Sequence, residues 1–377
     1  MYSKNDIRQF RRRGLKPEQV DEQIENLKRG FAPVAAAEAA TVGNGVTKLT
    51  EDEAQAAVRA FESRRGELDM VKFVPASGSA TRMFKLLNSF RARYTGSDED
   101  YLEYLRHKEP GTVFSFFQHL KAYPFYARLK ERVMEDRKDL DKMLWKNQFE
   151  DILDYLLTER GLDYNHTPKA LIDFHVYPGH TRTALEEHLV EAALYCSDGR
   201  RAKTHFTVSE EHMRRVKELE KRELKFYKKD FGVAFDVTYS AQKPETDMVS
   251  LDRRGELLRD GEGNVVFRPG GHGALIHNLN ELKERVIFIK NIDNVLPDRN
   301  KEATVFWKKA LAGVLLETQE RLFGYMRRLE RGKERGGELL AEAEAFLRER
   351  LGFRPAEGSV PADPEDPDAP DELPEDA

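Results

Sequence analysis

An α/β domain on a mostly parallel sheet is the fold class that the sequence predicts, and three observations lead to it. Short runs suited to strands recur at 70–74, 170–174, 204–208, 234–240 and 286–290. Stretches with helical spacing fill the intervals 181–195, 210–230 and 274–284. Strands that alternate with helices in this way return by crossover, lie parallel and are covered on both faces.

The remaining elements follow from local signals. Residues 1–34 read as helical, with Leu15, Val20, Ile24 and Leu27 at roughly helical spacing and Gly30 as a stop. The triplet Arg11-Arg12-Arg13 reads as a solvated face. A second amphipathic helix is predicted over 50–66, where Ala54, Ala57, Val58 and Phe61 form the apolar stripe. Residues 86–160, dense in Leu, Phe, Lys and Glu, predict a helical insertion whose aromatics, Trp145 included, belong to a core. Residues 300–350 are helical again. The final stretch, rich in Pro, Asp, Glu and Ala, has almost no large apolar side chain and is expected to be disordered. The predicted organisation is a helical segment at 1–66 and an α/β domain at 67–330 carrying the insertion. A helix at 331–354 and an acidic tail at 355–377 complete it.

Composition narrows the function. The chain has 377 residues, 40% apolar and 34% charged, with a formal charge of −5 weighted toward its acidic tail. No basic field argues for nucleic acid or an anionic membrane as partner. Cys196 is the only cysteine, which excludes an intrachain disulfide and argues against a cysteine-built zinc site. Neither a signal-like apolar region near the start nor an apolar run of about 18 residues is present. A cytoplasmic protein is the expectation.

Ligands of open α/β sheets bind at the carboxyl ends of the strands, and four segments flanking the predicted strands carry candidate chemistry. In Ser77-Gly78-Ser79-Ala80-Thr81-Arg82-Met83, small residues after a strand let backbone N–H groups approach phosphate oxygens, and Arg82 adds fixed charge. Taken alone, it reads equally well as a tight turn with an incidental arginine. Pro168-Lys169 opens the 170–174 run and can aim an ammonium at a phosphate; a surface lysine beside a loop proline is the plainer reading. His175, His180 and His188 follow without zinc-site spacing, and Arg182, expected at a helix start, is the better contact for a phosphate or sugar. Pro269-Gly270-Gly271-His272-Gly273 packs three glycines into five residues, which predicts unusual backbone angles or a very close neighbour. Asn291-Ile292-Asp293-Asn294 ends an apolar strand with a carboxylate able to hold Mg²⁺ already carried by phosphates, or simply with an Asx turn.

In this order the four segments resemble the sugar nucleotidyltransferase superfamily, especially its UDP-sugar pyrophosphorylase branch. More closely they resemble the domain of unknown function 4301 family of uncharacterised bacterial proteins, as a divergent relative of that superfamily. The likeness runs over 70–83 and 168–295. It implies a Rossmann-like sheet of the nucleotidyltransferase, GT-A-like, type. It also implies that Gly78, Ser79, Ala80, Thr81 and Arg82, with Ser77, wrap a triphosphate and that Lys169 contacts phosphate. Gln242 would read the base, while Gly271, His272 and Gly273 would pack on the nucleoside. Asp293 would bind the metal, Mg²⁺, with Asn291 and Asn294 near sugar or nucleotide. The sequence departs from the pattern at Ala80, where a second loop glycine is usual. It also shows only helices after residue 300, where such enzymes place sugar-binding strands and a second metal ligand. That leaves open a truncated chain that binds nucleotide without turnover.

The implied reaction joins a nucleoside triphosphate, UTP by the resemblance, to a sugar 1-phosphate with release of pyrophosphate. The rival expectations are a glycosyltransferase of the related GT-A type and a catalytically silent nucleotide-binding protein.

Overall fold

The computed structural model describes residues 2–31, 39–78, 80, 83–330 and 337–353. Two compact units divide the chain: Met1–Pro33 with Glu62–Lys309, and Val34–Phe61 with Ala310–Ala377. The expected tail, 355–377, lies outside the described residues.

The amino-terminal stretch breaks into α1 (Lys4–Arg12) and α2 (Pro17–Arg29). The turn between them uses Gly14 at a left-handed φ of 75°, a conformation that carries no steric penalty in glycine. Phe10, Leu15 and Val20 from this region pack with Val249 and Val265, and Arg259 forms an ion pair with Asp6. Two-residue strands β1 (Thr41–Val42) and β2 (Gly45–Val46) come next. In α3 (Glu51–Arg64), Ala54, Ala57 and Phe61 are buried, as the stripe predicts.

After β3 (Met70–Pro75) the chain enters α4 (Lys85–Arg91), α5 (Asp98–Arg106), α6 (Val113–Gln118), α7 (Tyr126–Glu135), α8 (Leu140–Trp145) and α9 (Phe149–Leu157). They enclose an aromatic core in which Phe149 lies 4.3 Å from Phe117 and 4.6 Å from Tyr104 between ring centroids. Trp145, expected in that core, is instead 82% exposed. Leu140 and Met143 face inward from α8. At about 100° per residue Trp145 lies about 140° around the helix from Leu140.

The 170–174 run also departs from expectation. Lys169–Leu171 is a single 3₁₀ turn, and β4 (Asp173–Tyr177) pairs antiparallel with β5 (His180–Thr183) outside the main sheet. A two-residue link at Pro178-Gly179, with Gly179 at φ 80°, can join only antiparallel strands. Thr183 and Glu186 form the capping box that starts α10 (Ala184–Tyr195), a helix buried on nearly all sides. Then come β6 (Arg201–Thr207), α11 (Glu210–Phe231), β7 (Ala234–Ser240), β8 (Met248–Val249) and β9 (Phe267–Arg268). The helix expected at 274–284 is only a 3₁₀ turn, His272–Leu275, and α12 (Ile276–Leu279). It stops early because the chain must turn after Asn280 to enter β10 (Val286–Ile289). The helices α13 (Lys301–Glu330) and α14 (Gly337–Leu351) follow. Among the described residues no helix is long and apolar enough to cross a membrane.

The main sheet is four-stranded and parallel, in the order β10-β3-β6-β7. Val74, Phe206 and Phe235 join Leu185, Leu189 and Val190 of α10 and Val216 of α11 in one core. From β3 the chain builds outward to β6 and β7, then reverses to place β10 on the other side of β3. Pairing extends past the named strands: Lys290 N–H donates to Phe73 O (3.1 Å) and Ile292 N–H to Pro75 O (3.3 Å). The segment at 290–292 therefore stays tied to the exit of β3.

A Cβ at Gly161 would lie 1.8 Å from the Tyr155 carbonyl oxygen, a backbone atom with no freedom to retreat. Gly161→Ala is expected to lower stability by about 3 kcal/mol through overpacking. Urea unfolding measures it, and an unchanged midpoint would contradict the packing described.

Candidate functional site at the carboxyl edge of the sheet

The reversal of strand order between β3 and β10 makes a topological switch point, where loops leaving adjacent strands diverge and open sheets bind ligands. Two of the candidate segments leave the sheet there. Ala76-Ser77-Gly78 follows β3, and Lys290-Asn291-Ile292-Asp293-Asn294 follows β10. Ala76 is held by its N–H to Thr207 O (2.9 Å), Ala80 is buried, and Gly78 is exposed. Ser79, Thr81 and Arg82 lie outside the described residues.

Lys169 reaches this edge from the 3₁₀ turn. Its Nζ donates to Asp293 Oδ2 at 2.7 Å, across 124 positions of sequence. The lysine side chain is 22% exposed and the carboxylate 43%, so the pair faces water. Asn291 and Asn294 flank it, both exposed.

Gln242, Gly271 and Gly273 gather at the other end of the rim. The Gln242 amide donates to Gly270 O and to Thr246 Oγ1, both at 3.2 Å. Asn278 donates to Ser240 Oγ and Ala241 O, each at 2.8 Å, and so fixes the exit of β7. His205, stacked on Phe73, has its ring nitrogens 2.8 Å from Thr238 Oγ1 and Ser240 Oγ. The glycines divide in role. None of the three takes a left-handed φ, so of the two expectations, unusual backbone angles or a very close neighbour, the structure shows the second, at Gly270. Gly270 is required by packing, since a Cβ would meet Thr246 O at 2.7 Å, whereas Gly271 and Gly273 border open space. β10 and β7, the strands that lead into these two groups, end on one edge of the sheet, three strand spacings or about 14 Å apart.

Arg182 is placed differently from a ligand contact. It is 5% exposed, donates to both oxygens of Asp298 at 2.8 Å and lies over the Tyr177 ring. The three histidines go to separate partners. His175 meets Glu187 at 2.9 Å, His180 stacks on Tyr177, and His188 Nε2 donates to Ile292 O at 3.1 Å.

Beneath Asp293 lies a charged network that the sequence reading missed. Glu191 of α10 accepts from Lys72 and from Lys290, both at 2.7 Å, with its side chain fully buried. One turn earlier Glu187 accepts from Lys301, Tyr177 and His175. Lys301 also donates to Leu296 O. Together with His188, these groups grip the 290–301 segment at three levels: Lys290, Ile292, and Leu296 with Lys301. Burial opposes charge on Glu191, but Lys72 and Lys290 outweigh it and hold the carboxyl at about 2. Burial likewise drives the Lys72 ammonium down to about 7, against the pull of Glu191. It also pushes His188 well below its usual value, with the neighbouring Lys72 adding to the effect, so the ring is neutral. The visible signal was a lysine inside the apolar strand Met70–Val74 and a helix carrying three glutamates on otherwise apolar faces.

Among the described residues no group of three or more His, Cys, Asp or Glu is placed to hold a metal by itself. Asp293 can supply one oxygen to a hard cation whose other ligands are phosphate and water, the manner in which Mg²⁺ is commonly held.

These features define a mixed α/β protein with its candidate chemistry on the carboxyl rim of a parallel sheet. The chain belongs to the family described as Domain of unknown function (DUF4301), whose model matches residues 3–366. No curated protein matches it.

Glu191→Gln would leave two buried ammonium groups without a carboxylate, at an expected cost of about 3–5 kcal/mol. Glu191 has its folded value at about 2, below the ordinary 4.5. Its ionised form therefore stabilises the fold above the unfolded value, and that contribution is lost as pH falls through the folded one. The gap between wild type and variant should be full near pH 5 and shrink below about 4.5, read from urea titrations at each pH. A gap independent of pH would refute the assignment.

Proposed function

We propose that this chain transfers the nucleotidyl group of a nucleoside triphosphate, UTP by resemblance, to a sugar 1-phosphate and releases pyrophosphate. The observation that carries the reading is the Lys169–Asp293 pair at the switch point. A phosphate-seeking cation and a hard-oxygen ligand, distant in sequence, meet beside the small-residue loop that leaves β3. Further support comes from Gln242 and the open Gly271 and Gly273 on the same rim, at a spacing that a nucleoside with its phosphate chain can bridge. The Rossmann-like, GT-A-like relationship belongs to this proposal.

In the reaction an oxygen of the sugar phosphate attacks the α-phosphorus in line, and the bond from that phosphorus to the bridging oxygen of the β-phosphate breaks. A phosphate monoester is already an adequate nucleophile, so no catalytic base is required. What the protein supplies is alignment and positive charge. Lys169 and Arg82 neutralise phosphate oxygens, and backbone N–H groups of the small-residue loop after β3 add donors. Asn291 and Asn294 offer amides to sugar or nucleotide. Asp293 would hold Mg²⁺ brought by the triphosphate, whose contribution is screening of the phosphate charge. Arg182, paired with Asp298, is left out of the ligand contacts.

A screen of nucleoside triphosphates against sugar 1-phosphates, read by pyrophosphate release, tests the proposal. Asp293→Ala, Lys169→Ala and Arg82→Ala should each lower the rate by about two to three orders of magnitude. Full turnover in any of them would remove that residue from the mechanism. Release of nucleoside diphosphate from a nucleotide sugar would indicate a glycosyltransferase. Stabilisation by Mg²⁺ and UTP without pyrophosphate exchange would indicate a silent binding protein.

A further inference from the structure

A cavity of about 780 Å³ opens between α7, the β4–β5 hairpin and α11, within the about 300–1,000 Å³ typical of small-molecule sites. Its lining is dominated by charged and hydroxyl-bearing side chains, among them Arg128, Thr181, Glu218 and Arg222, with Leu162, Leu171, Leu219 and the Phe226 ring as its apolar part. Such a wall suits a polyhydroxylated ligand with one ring face, and it does not suit a nucleobase or an apolar molecule.

The charges in this cavity are already matched, with one exception. Asp173 is taken by Arg128 at 2.7 Å, and Tyr164 and Thr181 also donate to it. Glu223 is paired with Arg222 at 2.5 Å and Glu218 with Arg214 at 3.1 Å. Glu186 is occupied by Thr183 and Tyr227. Arg215 is different: its guanidinium donates to the neutral Thr167 hydroxyl at 3.1 Å, and among the described residues no carboxylate lies against it. A guanidinium left with a neutral partner in a mostly polar cavity is suited to a phosphate, which it can bind by two parallel hydrogen bonds.

The cavity also adjoins the rim. Thr167 and Lys169 flank Pro168, whose backbone is extended at φ −66° and ψ 148°, so their α-carbons are about 7 Å apart. One short segment therefore carries both the partner of Arg215 and the lysine paired with Asp293.

We propose that this cavity is the acceptor subsite, binding the sugar phosphate with its phosphate on Arg215 beside Lys169 and its hydroxyls along the hairpin and α11. The assignment rests on the nucleotidyl-transfer reading, but its test separates the two. Titration calorimetry on the full chain uses glucose 1-phosphate, galactose 1-phosphate and N-acetylglucosamine 1-phosphate, and in parallel UTP with Mg²⁺. Arg215→Gln, at a partly exposed position, should weaken the sugar phosphate that binds best by about ten- to a hundredfold and leave the nucleotide constant within about twofold. Glu218→Trp, which places a bulky ring at the mouth, should block the sugar phosphates alike. Unchanged sugar-phosphate binding in both variants would overturn the subsite, as would a wild-type chain that binds none of the three at millimolar concentration. Sugar-phosphate binding that depends on Arg215, without any pyrophosphate exchange, would sustain the subsite and defeat the reaction.

Discussion

Two carboxylates buried on one helix organise this molecule. Glu187 and Glu191 stand one turn apart on α10, facing the same way, and neither side chain reaches water. A buried carboxylate is tolerated only when cations and donors surround it, so each one dictates where its partners must lie. Glu191 requires Lys72 from the middle of β3 and Lys290 from the end of β10. Glu187 requires Lys301 at the start of α13 and Tyr177 and His175 from the hairpin. The network therefore fixes the segment between β10 and α13, and with it Asp293, whose own side chain stays exposed.

This arrangement separates rigidity from reactivity. The strongly paired charges are sealed below the rim, where the low-dielectric interior strengthens them. Asn291, Asp293 and Asn294 sit above on the segment that this network holds, and Lys169 joins them through its pair with Asp293. The neutral His188 completes the support, because its donor nitrogen is committed to Ile292 O, the residue before Asp293.

Topology supplies the second half of the site. The chain inserts a whole helical bundle between β3 and β6, and that bundle returns through residues 162–172 to the sheet's edge. Lys169 arrives at the rim by this detour, and the cavity around Arg215 forms where bundle, hairpin and α11 come together. The bundle has its own aromatic core, so it furnishes a wall without borrowing packing from the sheet.

The parallel strands β3, β6, β7 and β10 were legible because short runs rich in β-branched and aromatic residues between helical stretches suit few other environments. Pro168-Lys169 and Asn291-Ile292-Asp293-Asn294 were legible as chemistry because a strand end limits what such residues can do. The hairpin escaped notice: Pro178-Gly179 is a strong turn signal, but its flanks carry two histidines and a tyrosine rather than a plain alternation. Trp145 was misread because composition cannot say which way a six-residue helix turns. By itself the sequence determined the α/β class, the helical insertion and the residue types available for phosphate chemistry, all of which follow from local periodicity and backbone preference. Only the tertiary structure decided that Lys169 meets Asp293, that Arg182 is spent on Asp298, and that Glu187 and Glu191 hold the rim from beneath. Partners separated by about a hundred residues are chosen by the cost of burying unpaired charge, a quantity that has no value until the chain is folded.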